Sequence, residues 1–181
     1  RFIRSGRVNA GKLPFDMDEQ AQATMDTLNA LHYAKWWTPQ WVDAVGKGLI
    51  LKRDFEGGQM ARDMTVYVDD DGKAYHIFAS EENLTLHIAE LSDDYLSHTG
   101  KYVRVAPAGQ NEAPAIFKKD GMYWMITSGC TGWAPNEARM FSAPSIWGPW
   151  TQHPNPCMGP NREITFGGQS TYILKVEGRK D

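Results

Sequence analysis

Three stretches of the chain pass from polar to apolar to charged residues in the same order and end on the same kind of turn. They are Asp63-MTVYVDDDG ending at Gly72, Glu112-APAIFKKDG ending at Gly121, and Gln169-STYILKVEG ending at Gly178. In each, a polar residue opens a short apolar run, and a Gly follows the opening residue by nine positions. The apolar run reads as a β-strand, and the charged stretch with its Gly reads as the tight turn of a hairpin. After the first two turns a second strand follows, KAYHIFA (73–79) and MYWMITS (122–128). A third comes later, LTLHIAE (84–90) and EARMFSA (137–143), and both copies then enter turn-rich aromatic sequence such as PSIWGPW (144–150).

The opening residues are 49 and 57 positions apart. Repeats of that length, built from three or four antiparallel strands, are the signature of propeller blades. An antiparallel sandwich also contains strand–turn–strand hairpins, but three of them with the polar residue in one register favour the propeller. The expected fold is therefore all-β, a β-propeller present as an incomplete fragment of about two and a half blades. Residues 1–13 read as the end of a first blade, 59–110 as the second, 111–165 as the third and 166–181 as the start of the fourth.

Residues 14–58 break the pattern and read as a helical insertion with its linker. Asp16 or Asp18 is placed to cap a helix over residues 19–34, EQAQATMDTLNALHYA, in which Leu28 and Leu31 share a face. In WWTPQWVDAVGKG, Pro39 after Thr38 marks a second helix start, and Gly46 or Gly48 its stop. Trp36, Trp37 and Trp41 are expected to pack on the propeller rim, with stacking on substrate as the alternative, because three solvent-facing Trp would leave a large apolar patch.

A net charge of −3 gives no reason to expect a nucleic-acid partner. No apolar run approaches the roughly 20 residues of a membrane span. Cys130 and Cys157, with 26 residues between them, either pair or both stay free. The chain opens on Arg1 without Met, which reads as a start internal to a longer protein, so the missing signal peptide carries no information on secretion.

The register has a chemical consequence. The first strand of each propeller blade is the innermost, so equivalent residues on successive inner strands converge on the central channel. Asp63, Glu112 and Gln169 share one register, which brings two carboxyls and an amide to one depth. A carboxyl heading an apolar strand is costly unless paired or used. Two nearby carboxyls raise the pKa of one, and a protonated acid beside a sugar channel is what glycosidic cleavage needs. The competing reading is that these polar residues only begin strands.

Arg62-Asp63-Met64, then Asn111-Glu112-Ala113-Pro114, then Phe166-Gly167-Gly168-Gln169-Ser170, with SGCTGW (128–133), resemble the blade motifs of glycoside hydrolase family 43. The resemblance is strongest to its exo-β-1,3-galactanase-like branch and runs from about Gln59 onward. It implies a five-bladed propeller and an inverting glycosidase acting on a galactan-like or related plant glycan, with an oligo- or polysaccharide as partner and a secreted or periplasmic location. It implies Glu112 as general acid and Asp63 as the residue that tunes and orients it. The family's usual base, an Asp on the first inner strand, would lie before Arg1. In the galactanase-like branch a Gln matching Gln169 is the substitute, and a neutral amide is a very poor base, so Gln169 is expected to hold the water or to act as base.

Among the remaining residues, Trp133 is the expected sugar-stacking platform. Thr131 and Asn83 are expected to bond sugar hydroxyls, with a plain turn residue as the alternative for Asn83. His76 and His87 read as mid-strand core or face residues, and His98 and His153 as loop residues. No cofactor and no metal are expected: nothing resembles a zinc set, and Asp69-Asp70-Asp71-Gly72 reads as a hairpin turn rather than a calcium loop. Two rivals stand beside the hydrolase, a carbohydrate-binding propeller without turnover and a protein-interaction propeller. The shared Asp–Glu–Gln register speaks against the second.

Overall fold

A computed structural model describes residues 8–11, 23, 26, 27, 30, 38–48, 50 and 56–178. The strands fall into two four-stranded antiparallel sheets. The first orders β1 (Met64–Val68), β2 (Ala74–Ser80), β3 (Thr85–Leu91) and β4 (His98–Val105) side by side in chain order. The second repeats this with β5 (Asn111–Lys119), β6 (Met122–Gly129), β7 (Arg139–Ala143) and β8 (Thr151–His153). Each sheet is a meander led by its innermost strand, and β1 packs beside β5. These are two successive blades of an incomplete β-propeller, as the repeat predicts.

The leading hairpin forms as read. Val68 pairs with Ala74, Asp69 N–H donates to Lys73 C=O, and Gly72 takes φ 83° to close the turn. Side chains from both blades meet in one apolar core. Ile77, Ala79, Leu86 and Ile88 of the first blade pack with Ile116, Met125 and Phe141 of the second. Four of these seven are wholly inaccessible aliphatics of Ile, Leu or Met type, and each such burial contributes about 1.5–3 kcal/mol. That shared core fixes how far the two inner strands stand apart.

Helix α1 (Pro39–Gly46) starts where Thr38 and Pro39 predict, with the Thr38 hydroxyl accepting from Trp41 N–H. Trp41 is wholly buried and packs with Ala44, Val45 and Ile50 against Leu84, in the turn between β2 and β3. Trp41 thus packs against the β2–β3 turn of the first sheet rather than facing solvent; Trp36 and Trp37 lie outside the described residues. Of the expected helix over 19–34, Ala23, Asp26, Thr27 and Ala30 are described and are helical. Its candidate caps Asp16 and Asp18 and the Leu28–Leu31 pair lie outside the described residues.

Two sequence expectations need correction. His98 and His153 are not in loops, since His98 opens β4 and His153 closes β8. The alternation of β4 is hidden by Gly100, which takes φ 93° opposite an irregularity in β3 between Ala89 and Leu91. The third repeat, 169–176, makes no ladder. In the other copies the ladder partner follows the turn Gly, and residues 179–181 lie outside the described ones. Both cysteines are free, which resolves the choice left open between pairing and reduction. Among the described residues no helix is long and apolar enough to cross a membrane.

Candidate active site

Pro114 explains the local geometry of the inner strand β5. It has no N–H to give to a ladder, so the strand accommodates it in a β-bulge. Glu112 pairs with Ser128 and Ala115 with Ile126, leaving Ala113 and Pro114 opposite Thr127 alone. Ala113 turns to φ 49° within the bulge. Its N–H, freed from the ladder, donates to Asp63 Oδ2 at 3.3 Å, and its C=O accepts from the Ser170 hydroxyl at 2.7 Å. One bulge therefore ties the residue after Glu112 to the first blade and to the third repeat together.

A cleft of about 520 Å³ opens at this point, lined by Asp63, Glu112 and Gln169 with Trp133 and Ser170 among its other walls. The three residues that share a register in sequence thus share one cavity in space. Gln169 reaches it although its segment forms no strand, because its Nε2 donates to the Ser128 hydroxyl at 2.7 Å. Ser128 is the ladder partner of Glu112, so the amide is fastened directly across from the carboxyl.

The expected hydroxyl binders separate. Asn83 comes to the site, but as a partner of the carboxyl: its Nδ2 donates to Glu112 Oε1 at 2.8 Å. It is also the turn residue of the alternative reading, at φ 62°. Thr131 does not line the cleft. Its hydroxyl donates to Ala134 C=O and accepts from Asn136 Nδ2, both at 2.6 Å, so it organises its own loop. Asn136 also closes on both backbone groups of Gly129. The loop so braced presents Trp133, fully exposed, at the cleft wall.

Sequence reasoning missed the support beneath Asn83. Glu81, Glu82 and Asn83 have φ of 52°, 59° and 62° in succession, and Leu84 N–H closes the turn on Glu81 C=O. Asn tolerates this left-handed conformation, whereas each Glu there costs about 1–2 kcal/mol. The Glu81 side chain turns inward and is buried. Its carboxylate accepts from Arg104 Nε at 2.7 Å and Nη2 at 2.6 Å, with His87 Nε2 2.6 Å away. Burial alone would raise the Glu81 carboxyl, but the Arg104 guanidinium and the His87 contact outweigh it and hold the group at about 2. No sequence signal marks this set, because two Glu before an Asn read as an ordinary solvated turn.

The other flank of Glu112 is anchored by Arg139. Its Nη1 donates to Gly109 C=O, Gln110 C=O and Asn111 Oδ1, and Thr127 also donates to Asn111. Cys130 stands between the blades with its thiol 3.6 Å from Asn83 C=O. Burial, then the nearby charge of Glu112, pushes that thiol up to about 12. Among the described residues no group of His, Cys, Asp and Glu side chains is arranged to hold a metal ion.

The family description that matches this chain is glycosyl hydrolases family 43, over residues 19–180. Among curated proteins, a β-D-galactofuranosidase of Aspergillus niger is 29% identical over 129 residues, 65% of this chain and 37% of that protein. Among solved structures, a family 43 β-1,3-galactosidase with galactodeoxynojirimycin is 61% identical with a TM-score of 0.87. That alignment covers 98% of this chain and 51% of the other. An exo-β-1,3-galactanase from Clostridium thermocellum is 36% identical with a TM-score of 0.64, covering 75% of this chain and 28% of that one. The chain thus spans about half the length of the first of these structures and about a third of the curated relative. The two blades described above belong to a five-bladed propeller fold.

Proposed function

The chain belongs to glycosyl hydrolases family 43, and from that premise we propose that it carries the acid side of an exo-acting, inverting glycosidase site for β-linked galactose polymers. The observation that carries this reading is the convergence of Glu112, Asp63 and Gln169 on one cleft, with Trp133 at its wall. A cleft of that size suits one or two sugar rings, and an exposed indole offers a flat face for the apolar side of a pyranose.

In the proposed reaction Glu112 gives its proton to the glycosidic oxygen as the bond from that oxygen to the anomeric carbon breaks. Water adds to the opposite face of the same carbon, so the configuration inverts. Asp63 grips the bulge next to Glu112 through Ala113 N–H and so orients the acid. Gln169, secured by Ser128, orients the water rather than taking its proton, since a neutral amide is a very poor base. The attacking water gives up its proton to solvent as its bond to the anomeric carbon forms, and Glu112, left as a carboxylate, regains a proton before the next turnover. A polymeric glycan does not cross a membrane, so the proposed reaction runs outside the cytoplasm.

Replacing Glu112 with Gln in the protein that carries this chain tests the reading. Release of galactose from β-1,3-galactan is expected to fall by about 10²–10⁴, the usual contribution of a general acid. Undiminished release would sink it. A carbohydrate-binding propeller without turnover is the second reading, favoured by the amide at Gln169 in the water-side position. Calorimetric sugar binding with no product over long incubation would establish it in place of the first.

A further inference from the structure

The buried charge at Glu81 takes no part in the proposed proton transfers, yet it lies one turn away from the acid. Glu81 is buried beneath that turn, held by two bonds from Arg104 on β4 and one contact to His87 on β3. Above it, three consecutive left-handed residues end in Asn83, whose amide crosses to the next blade and meets Glu112 Oε1. The far side of the turn is pinned as well. Leu84 packs on Trp41, and Leu84 C=O accepts from Gln110 N–H, in the segment that Arg139 grips.

We propose that Glu81, with Arg104 and His87, is a positioning set for the acid: it holds the 81–83 turn left-handed so that Asn83 donates to Glu112 Oε1 and leaves Oε2 to carry the proton. In a protonated carboxyl the oxygen that accepts an N–H is the carbonyl oxygen, so the hydroxyl resides on the other one. A carboxyl free to rotate would present its proton to the leaving group in only part of the population. The Arg104 fork is suited to this task because its two parallel bonds to one carboxylate fix direction as well as distance. Glu81, Arg104 and His87 do not line the cleft; they act through Asn83. The inference rests on Glu112 being the general acid.

The test compares two substrates in the protein that carries this chain. The glycosidic oxygen of β-1,3-galactobiose leaves poorly and needs the proton, whereas that of 2,4-dinitrophenyl β-galactoside leaves readily without it. Glu81→Asp keeps the charge but withdraws it by one methylene. It is expected to lower kcat on the disaccharide about tenfold or more, part of what a general acid supplies, and to lower it much less on the aryl galactoside. In an Asn83→Gly background, where the glycine accepts the left-handed turn, Glu81→Asp is expected to cause no further loss. Equal losses on both substrates, or full additivity with Asn83→Gly, would overturn the proposal. Should Glu81→Asp fail to fold, Arg104→Lys and Asn83→Gly alone give the same substrate comparison. Failure of the wild type to cleave either substrate would instead overturn the glycosidase reading beneath it.

Discussion

Tyr123 of the second blade donates its phenol hydroxyl to Asp69 Oδ2 in the leading turn of the first. Lys118 stands 3.0 Å from the other carboxylate oxygen of Asp69 and 2.9 Å from Asp70. Tyr67 donates to Asp69 as well, at 3.3 Å. Asp69 is thereby drawn inside, while its neighbour Asp70 stays exposed. The blades are latched at the end of the inner strands remote from Glu112, and the apolar core fills the space between.

Tyr123→Phe is expected to remove about 1–2 kcal/mol of stability, the worth of a half-buried hydrogen bond to a charged acceptor. Denaturant unfolding of the two proteins measures it. An unchanged midpoint would mean that the core alone holds the blades together.

Stability should fall in two stages on acidification. Burial, and secondarily His98, lowers His76 to about 4 from an ordinary 6.5, and burial also lowers His98. His76 faces Met64 Sδ at 3.2 Å and His98 at 3.1 Å. The unfolded chain takes up these protons first, so stability declines as pH drops from about 6.5 toward 4. Glu81 acts lower. Its folded value of about 2 lies below the ordinary 4.5, so its contribution is whole above 4.5 and disappears as pH falls toward 2. Unfolding free energies at stepped pH should show both stages, and His76→Gln should flatten the upper one. An identical upper slope in that variant would refute the assignment.

Trp133→Ala should leave the fold untouched and weaken substrate binding. The ring is fully exposed, so stability is expected to change by no more than about 0.5 kcal/mol. Loss of a sugar platform should raise KM about tenfold, consistent with roughly 1–1.5 kcal/mol from an aromatic face. Steady-state kinetics on β-1,3-galacto-oligosaccharides decides it, and an unchanged KM would remove Trp133 from the site.

Asn136→Ala should reproduce much of that kinetic effect from a distance. The Asn136 side chain bonds both backbone groups of Gly129 and the Thr131 hydroxyl, and Thr165 donates to its backbone C=O. Its removal takes the side-chain partner from both Gly129 groups and from the Thr131 hydroxyl, which keeps its bond to Ala134 C=O, and costs about 1–3 kcal/mol. KM should rise as for Trp133→Ala, and the double variant should be little worse than either single one. Additive losses would show that the loop does not act through the indole.

The blades were legible because a hairpin's signals are local. An apolar run, charged turn residues and a Gly at fixed offset define the strand pairs within ten residues, as Asp63–Gly72 and Glu112–Gly121 show. The register of Asp63 and Glu112 was legible for the same reason, since equal spacing to the turn means equal depth on the inner strand; Gln169 shares the spacing but is held at the cleft by Ser128. Thr38 and Pro39 announced their helix equally well. By contrast, β4 was obscured where Gly100 interrupts its alternation.

What the residues alone determined, then, is the leading hairpins of two blades and the three side chains, Asp63, Glu112 and Gln169, that share the cleft. Who touches whom there was decided by tertiary structure. Asn83 belongs to one blade and Glu112 to the next, Ala113 N–H meets Asp63 across the same boundary, and Glu81 finds Arg104 only once β4 has folded back. The physical reason is that each contact depends on the distance and angle between packed blades, which the shared core sets and which no short stretch of sequence encodes. A Glu in a turn and a Glu at a channel look alike in one dimension. Burial distinguishes them, by making one a paired support and leaving the other at the cleft.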